Sequence, residues 1–315
     1  IEKADLGGIC LNWGCIPTKA LLKSAAIYNS FQNSSKYGIE VENISFNWKK
    51  IITRSRTTAK RLSKGIEYLM KKNSIDILNG TAVIEDPKTI YVENKKVSTK
   101  FIILSTGCLP LEFPNAPFDN KKIINYKDAM TLDKIPESIT IIGAGAIGVE
   151  FAHFFSSFGS NVTIIESKDR ILPSEDYEIS KELEKEFKSR NISIETSSTV
   201  NSIEIDKKVC ISIDDININS ELVLVSIGVR GNYKQVIGSM DIKIKDNHVS
   251  TNNYMQTNYD NIYAIGDLSG PPWLAHVASA EGVLAIEHLS NKKCTPIDYS
   301  SIPGCTYTQP EVASI

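Results

Sequence analysis

No stretch of the chain reaches the roughly 18 consecutive apolar residues that a membrane-spanning helix needs. No positively charged segment followed by an apolar run and a small-residue cleavage site opens it, so no secretory leader is read. Cysteine is sparse. Cys10, Cys15, Cys108, Cys210, Cys294 and Cys305 are too few and too scattered in 315 residues for a secreted disulfide framework. A large excess of one charge is also missing: 35 Lys and Arg against 37 Asp and Glu leave a net charge of −2. That argues against a nucleic-acid binder, which carries a basic patch or stripe. There is no initiator Met, and the opening Ile1-Glu2-Lys3 reads as a start inside a longer protein. The remaining composition, 42% apolar and 23% charged, permits a sizeable core in a globular chain, and the length favours two domains. A cytoplasmic location is expected, or the mitochondrial matrix in a eukaryote, with no membrane partner and no metal.

Helical composition follows a Gly- and Cys-rich turn within residues 10–30, and a second, basic amphipathic helix is expected over 48–73. Short apolar runs from Asp76 to Leu104, broken by turns such as Glu85-Asp86-Pro87, predict a small β-meander. The loop carrying Pro110, Pro114, Pro117 and Pro136 reads as a domain crossing. A βαβ pattern then begins: strand 139–142, helix 146–158, strand 161–165, and a helix over 176–190 with acids early and Arg190 late. Further strands are expected at 192–215, 221–227 and within 248–265, and a last helix at 274–290. The alternation predicts doubly wound α/β architecture.

Gly143-Ala144-Gly145-Ala146-Ile147-Gly148 fits G-x-G-x-x-G between an apolar strand and a helix, the context that a dinucleotide-binding turn requires. The first Gly permits the tight turn, the second lets backbone approach a pyrophosphate, and the third allows close helix–strand packing. The helix N-terminus presents unpaired N–H groups to the phosphates. Glu166 closes the next strand, 18 residues after Gly148. An acid there accepts from an adenosine ribose 2′-OH and repels a 2′-phosphate, which favours NAD over NADP. The bland alternative is a structural glycine turn beside a solvated acid.

Cys10 and Cys15 are the one close cysteine pair. Their C-x4-C spacing is not a zinc half-site, and no second ligand pair stands nearby. Plain structural thiols are the other alternative. Residues five apart on a regular helix rise about 7.5 Å, whereas disulfide Cα atoms lie roughly 4.4–6.8 Å apart. A bridge therefore needs a distorted helix, for which Gly14 and Pro17 are suited.

The run Gly7-Gly8-Ile9-Cys10-Leu11-Asn12-Trp13-Gly14-Cys15-Ile16-Pro17-Thr18-Lys19-Ala20-Leu21-Leu22 resembles the redox-disulfide signature of the class I pyridine nucleotide–disulfide oxidoreductases. Leu11-Asn12-Trp13 and Pro17 to Leu22 are most similar to the dihydrolipoamide dehydrogenase branch. Further similarity runs through Ser105-Thr106-Gly107, Gly143–Glu150, Arg170–Pro173, Ala264–Asp267, Pro272–His276 and Pro303–Glu311. The resemblance implies an FAD-binding doubly wound domain (1–119 and 241–297), interrupted by an inserted NAD-binding Rossmann-like domain (120–240) and followed by the start of an α+β dimerisation domain (298–315).

Residue roles follow from the same resemblance. Cys10 is the interchange thiol and Cys15 the flavin-facing thiol. Lys19 stands near the flavin, paired with Glu150. Gly80, Thr106, Gly107, Cys108, Asp267, Leu274, Ala275 and His276 contact FAD with Lys19. Gly143, Gly145, Ala146, Ile147, Gly148, Glu150, Glu166, Val200 and Gly228 serve NAD. The implied activity is oxidation of protein-bound dihydrolipoamide, through a Cys10–Cys15 disulfide and FAD, with NAD reduction. The implied partners are the lipoyl domain of a 2-oxoacid dehydrogenase or glycine-cleavage complex and a second copy in a homodimer. Ile9, Cys108 and Val277 depart from the usual Thr, Ser and Lys.

The family's FAD pyrophosphate motif and its catalytic His-Glu pair are expected outside this sequence; His153, His248, His276 and His288 form no such dyad. The 315-residue chain alone is therefore expected to bind FAD poorly and not to turn over lipoamide. Two alternatives stand beside this reading: another FAD-dependent disulfide reductase, acting on glutathione, mercuric ion or a related substrate, and a non-catalytic nucleotide-binding remnant.

Overall fold

In the computed structural model, which describes residues 1–214 and 216–315, Gly14 interrupts the first helical segment. Helix α1 spans Gly8–Trp13 and α2 spans Cys15–Gln32. The turn expected ahead of Lys19 is thus helical on both sides of a break at Gly14, whose φ −133° and ψ −115° are not helical and where a Cβ would lie 3.1 Å from the Cys10 Cα. Helix α3, Trp48–Lys72, starts where Asn47 Oδ1 accepts from the Lys50 N–H at 3.0 Å. Its buried stripe is Trp48, Ser55 and Ala59, the helical repeat of a surface helix. Ser55 Oγ donates to the Pro17 carbonyl at 2.9 Å and Arg54 Nη1 to the Ala20 carbonyl at 2.7 Å, which locks α3 across α2.

Strands β1 (Ala82–Asp86), β2 (Thr89–Val92) and β3 (Lys95–Ser98) form an antiparallel meander. The expected meander is shorter than its sequence range. Strand β4, Ile102–Leu104, leaves it and pairs in parallel with Ile262–Ala264. Ile102 and Leu104 are both buried, as suits a strand covered on its faces. Strand β5, Cys108–Pro110, lies in the proline-rich crossing.

The inserted unit contains β6 (Ile123–Ile124), α4 (Tyr126–Ala129), β7 (Ser138–Ile142), α5 (Ala146–Ser157), β8 (Asn161–Ile165), α6 (Tyr177–Ser189) and β9 (Ser193–Glu195). A three-stranded antiparallel sheet follows: β10 (Val200–Ile205), β11 (Val209–Ile213) and β12 (Ile216–Ser220). Strand β13, Leu222–Val225, returns to the centre, giving the parallel order β6-β13-β7-β8-β9. Residue 215, the end of the strand region expected over 192–215, lies outside the described residues.

Strand β14, Val229–Gly231, carries the chain back and pairs antiparallel with β5, so the two crossings form one ribbon. Strands β15 (Ile244–Lys245) and β16 (His248–Val249) make a short hairpin. Then come β17 (Ile262–Ala264), α7 (Ala275–Leu289) and a terminal hairpin of β18 (Gly304–Thr306) and β19 (Val312–Ser314). The α/β arrangement, with one nucleotide-binding unit inserted into another, matches the fold class expected from the sequence.

Helix α5 is buried on nearly every side. Phe151, Phe154 and Phe155 fill its core with Trp48 of α3, whose ring centroid lies 5.3 Å from that of Phe154. His153 belongs to this helix and is 1% exposed, with Nδ1 3.4 Å from Arg190 Nη1. Burial, helped by the Arg190 charge, pulls the imidazole down to about 4 from an ordinary 6.5. Above pH 6.5 the ring is neutral whether the chain is folded or unfolded. As pH falls toward about 4, the unfolded chain takes up a proton that the folded chain refuses, so stability declines through that window. The expected loss is about 3 kcal/mol at the acid end. Denaturant midpoints of the wild type and His153→Gln at pH 7 and 4.5 check this: the wild type should lose more on acidification than the variant.

Candidate functional site

The break at Gly14 brings the two redox candidates together. Cys10 and Cys15 are disulfide-bonded, with Cα atoms 4.7 Å apart, inside the distance that a regular helix would exceed. Asn12 supports the intervening turn. Its Nδ2 donates to the Leu6 and Gly8 carbonyls at 3.0 Å each, and its own carbonyl accepts from Arg56 Nη1 at 2.5 Å. The Arg56 guanidinium also lies 3.8 Å from the Trp13 ring centroid, a cation–π contact that covers the turn. Burial lowers the Arg56 pKa, and the Asp5 charge opposes the change.

Lys19 follows Cys15 by one helical turn. Its Nζ donates to both Glu150 oxygens, at 2.7 and 2.9 Å. Glu150 stands on α5, so the pair joins the disulfide helix to the inserted unit. The Lys19 side chain is 32% exposed and that of Glu150 only 6%. The Tyr307 N–H also donates to Glu150 Oε1 at 2.9 Å, and Lys19 Nζ lies 4.8 Å from the Tyr307 ring centroid.

At the carboxyl edge of the parallel sheet, the three fingerprint glycines meet different surroundings. A Cβ on Gly143 would lie 2.5 Å from the Ser226 carbonyl oxygen, and one on Gly148 would collide with the Gly143 carbonyl. One on Gly145 would meet nothing within 4 Å. The cradle is tight on the protein side and open on the other, where Gly145, Ala146 and Ile147 are exposed. No side chain caps the α5 N-terminus among the described residues, so its N–H groups face that opening.

Glu166, ending β8, is engaged with the same loop. Oε2 accepts from Ala144 N–H at 2.7 Å, while Oε1 accepts from Lys168 N–H at 2.9 Å and Ser167 Oγ at 3.2 Å. A carboxylate has about four acceptor positions, so one remains for a ribose hydroxyl. Gly228 lies beyond β13 on this edge, and its carbonyl accepts from Leu111 N–H at 3.0 Å. Val200 opens β10 and packs with Val209, Ile211 and Val225 in the core. The open glycine, the uncapped helix and the spare acceptor fit a dinucleotide.

The parallel pairing of β4 with β17 brings Thr106-Gly107-Cys108 beside Asp267. Cys108 Sγ donates to the Asp267 carbonyl at 2.9 Å. Burial, with a smaller effect of Asp267, pushes the thiol up to about 12, which keeps it protonated. The Asp267 carboxylate is itself pushed up by burial, against a nearby His248, and accepts no hydrogen bond from another residue among the described residues. Leu274 is the N-cap of α7, whose first turn carries the exposed Ala275 and His276 and no capping side chain. A half-buried acceptor without a partner and a bare helix N-terminus fit an FAD ribityl chain and ring. Gly80 lies elsewhere along this unit, with its N–H donating to the Glu2 carbonyl at 3.0 Å.

Two supports of this edge are not among the residues expected from the sequence. Asn232 clamps the turn: its carbonyl accepts from Thr106 Oγ1 at 2.6 Å and its N–H donates to the Gly107 carbonyl at 2.8 Å. Glu281, 4% exposed on α7, accepts from Gly266 N–H at 2.6 Å and Tyr299 OH at 2.8 Å. Asn232 left no pattern in the sequence. Glu281 did, as one acid in the buried stripe Val277, Glu281, Leu284 and Ala285, where an unpaired charge would be costly.

Among the described residues, no three His, Cys, Asp or Glu side chains gather to hold a metal ion. No helix of those residues is long and apolar enough to cross a membrane.

The profile of the family described as pyridine nucleotide-disulphide oxidoreductase matches residues 1–282. The chain is 38% identical to the dihydrolipoyl dehydrogenase of Zymomonas mobilis, covering all of this chain and 70% of that protein. It is 37% identical to a dihydrolipoyl dehydrogenase of Bacillus subtilis, over all of this chain and 71% of the relative. Among solved structures, LpdA from Mycobacterium tuberculosis superposes with a TM-score of 0.90 at 22% identity, over 99% of this chain and 70% of that one. The HOCl-induced flavoprotein disulfide reductase RclA of Escherichia coli, as its Cu(II) complex, superposes with a TM-score of 0.87 at 22% identity, over 99% and 70%.

Proposed function

This chain belongs to the pyridine nucleotide–disulphide oxidoreductase family, and we propose that it oxidises dihydrolipoamide, carried on a lipoyl domain, to lipoamide with reduction of NAD. The observation that carries the reading is the Cys10–Cys15 disulfide one helical turn ahead of the Lys19–Glu150 pair. The family's cofactors are FAD and NAD(H). When bound, FAD supplies a ring that accepts an electron pair from a thiolate and passes a hydride to nicotinamide.

The residues of the chain account for the remaining steps. A substrate thiolate attacks Cys10 Sγ, the Cys10–Cys15 bond breaks, and Cys15 leaves as a thiolate. The second substrate thiol then displaces Cys10, so the substrate is oxidised to its cyclic disulfide and both cysteines end reduced. Cys15 is the thiol assigned to the flavin side. Lys19, held by Glu150, fixes a positive charge there. Gly145 and the α5 N-terminus receive the NAD pyrophosphate, and Glu166 accepts from the adenosine ribose, which selects NAD over NADP. The domain limits proposed are 1–119 with 241–297 for FAD, 120–240 for NAD and 298–315 for the start of a dimerisation domain. The proposed assembly is a homodimer in the cytoplasm, or in the mitochondrial matrix of a eukaryote.

NADH formation from dihydrolipoamide by the FAD-loaded product of the complete gene tests the reading. Cys10→Ser should lower kcat on the order of 10³-fold or more while the protein stays yellow. A flavin-loaded wild type that reduces no NAD with dihydrolipoamide would transfer the reading to another disulfide.

A further inference from the structure

The charge of this chain is unevenly distributed. Helix α3 carries nine Lys and Arg and one acid, Glu67. The rest of the chain then holds 26 cations against 36 acids. A net charge of −2 conceals this contrast, because a sum over the sequence says nothing of placement.

Four of these cations lie on the outer side of α3. Lys49, Lys50, Arg54 and Arg61, with Thr53 and Thr57, line an open groove of about 770 Å³. All six are exposed. Arg54 is tied to the Ala20 carbonyl, whereas the side chains of Lys49, Lys50 and Arg61 make no hydrogen bond or ion pair among the described residues. The opposite side of the same helix packs on the redox segment, through Arg56 to Asn12 and Ser55 to Pro17. A charged face and the disulfide are thus two sides of one rigid helix pair.

We propose that this groove docks an acidic protein domain that carries the dithiol substrate, so that α3 recognises the carrier while Cys10 meets its thiols. The inference rests on the dithiol-oxidising reading above. Charge complementarity selects the occupant. A second copy meeting this face through a two-fold axis would set the four groove cations against four. A nucleic acid has the right charge but no thiol to deliver to Cys10 and Cys15. An acidic carrier satisfies both the charge and the chemistry, and docking through exposed charges raises the encounter rate and is weakened by salt.

The test uses the FAD-loaded enzyme and the triple variant K49E/K50E/R61E. The first two changes put acids in the first turn of α3, where the helix dipole favours them, so the fold is retained. The probes are free dihydrolipoamide, an acidic lipoylated domain, the same domain with its acids neutralised, and a short DNA duplex. The expected result is an unchanged kcat/KM for free dihydrolipoamide and a fall of about tenfold or more for the acidic domain. Calorimetric affinity for that domain should fall in parallel, and 0.5 M salt should bring the wild type down to the variant. Equal affinity of the wild type and variant for the acidic domain would overturn the proposal. So would equal binding of the neutralised domain, tighter binding of the duplex, or self-association of the wild type that the variant abolishes. Failure of the wild type to oxidise free dihydrolipoamide would instead refute the substrate reading, whatever the groove binds.

Discussion

Gly148→Ala should lose both NAD binding and a large part of the fold's stability, while Gly145→Ala should lose NAD binding alone. The two residues sit in one motif, yet a Cβ at Gly148 would strike the Gly143 carbonyl and one at Gly145 would enter open space. The obstacle at Gly148 is backbone at the point where α5 crosses β7, so no side chain can swing aside. Relief requires moving the helix off the strand, at a cost of about 3 kcal/mol or more. Gly145 has φ −71°, which any residue adopts, so its replacement should change stability by less than about 1 kcal/mol. The added methyl group instead occupies the space through which a pyrophosphate approaches backbone N–H groups, and NAD affinity should fall at least about tenfold. Calorimetric NAD titrations and urea unfolding of both variants separate the effects. A Gly145→Ala protein that binds NAD like the wild type would place the phosphates elsewhere. A Gly148→Ala protein of unaltered stability would refute the packing account.

Lys19→Met should be more damaging than removing both members of its pair. The Glu150 carboxylate is almost fully enclosed, and Lys19 is its one cationic partner among the described residues. Without Lys19 the charge keeps the Tyr307 N–H and little else. Stranding a buried charge costs about 3 kcal/mol or more, whereas removing both charges is often close to neutral. The double variant Lys19→Met/Glu150→Gln should therefore recover much of the loss, since Gln still offers an acceptor to Tyr307. Denaturant unfolding of the wild type, the two single variants and the double variant closes the cycle. Additive losses would mean that the pair contributes no coupling. Both single variants should also slow the electron transfer proposed for Cys15, because each removes or releases the fixed charge beside it.

The features that were legible in the sequence are local ones. The glycine fingerprint could be read because its requirements are met within one strand–turn–helix unit, and each glycine has a contact, or an open space, that explains it. The broken helix was readable because helical rise and disulfide reach are incompatible over five residues, with Gly14 placed between the cysteines. The run 101–104 reads as part of the meander because it follows that meander directly in sequence. Its partner, β17, lies about 160 residues further on, and β4 is too short to carry a pattern that distinguishes the two pairings.

By itself the sequence determined most of the elements and the glycine turn, since bond geometry and helical or strand periodicity act over a few residues, whereas it made the cysteine bridge conditional on a broken helix and the family resemblance supplied the pairing. It did not determine what surrounds them. Asn232 reaches Thr106 across 126 residues and Tyr307 reaches Glu150 across 157, and the charge of α3 disappears into a nearly neutral total. Those contacts exist because separate segments pack at one carboxyl edge or along one helix. Hydrogen bonds and ion pairs act over a few ångströms of space, whatever their distance along the chain, so the tertiary structure alone decided them.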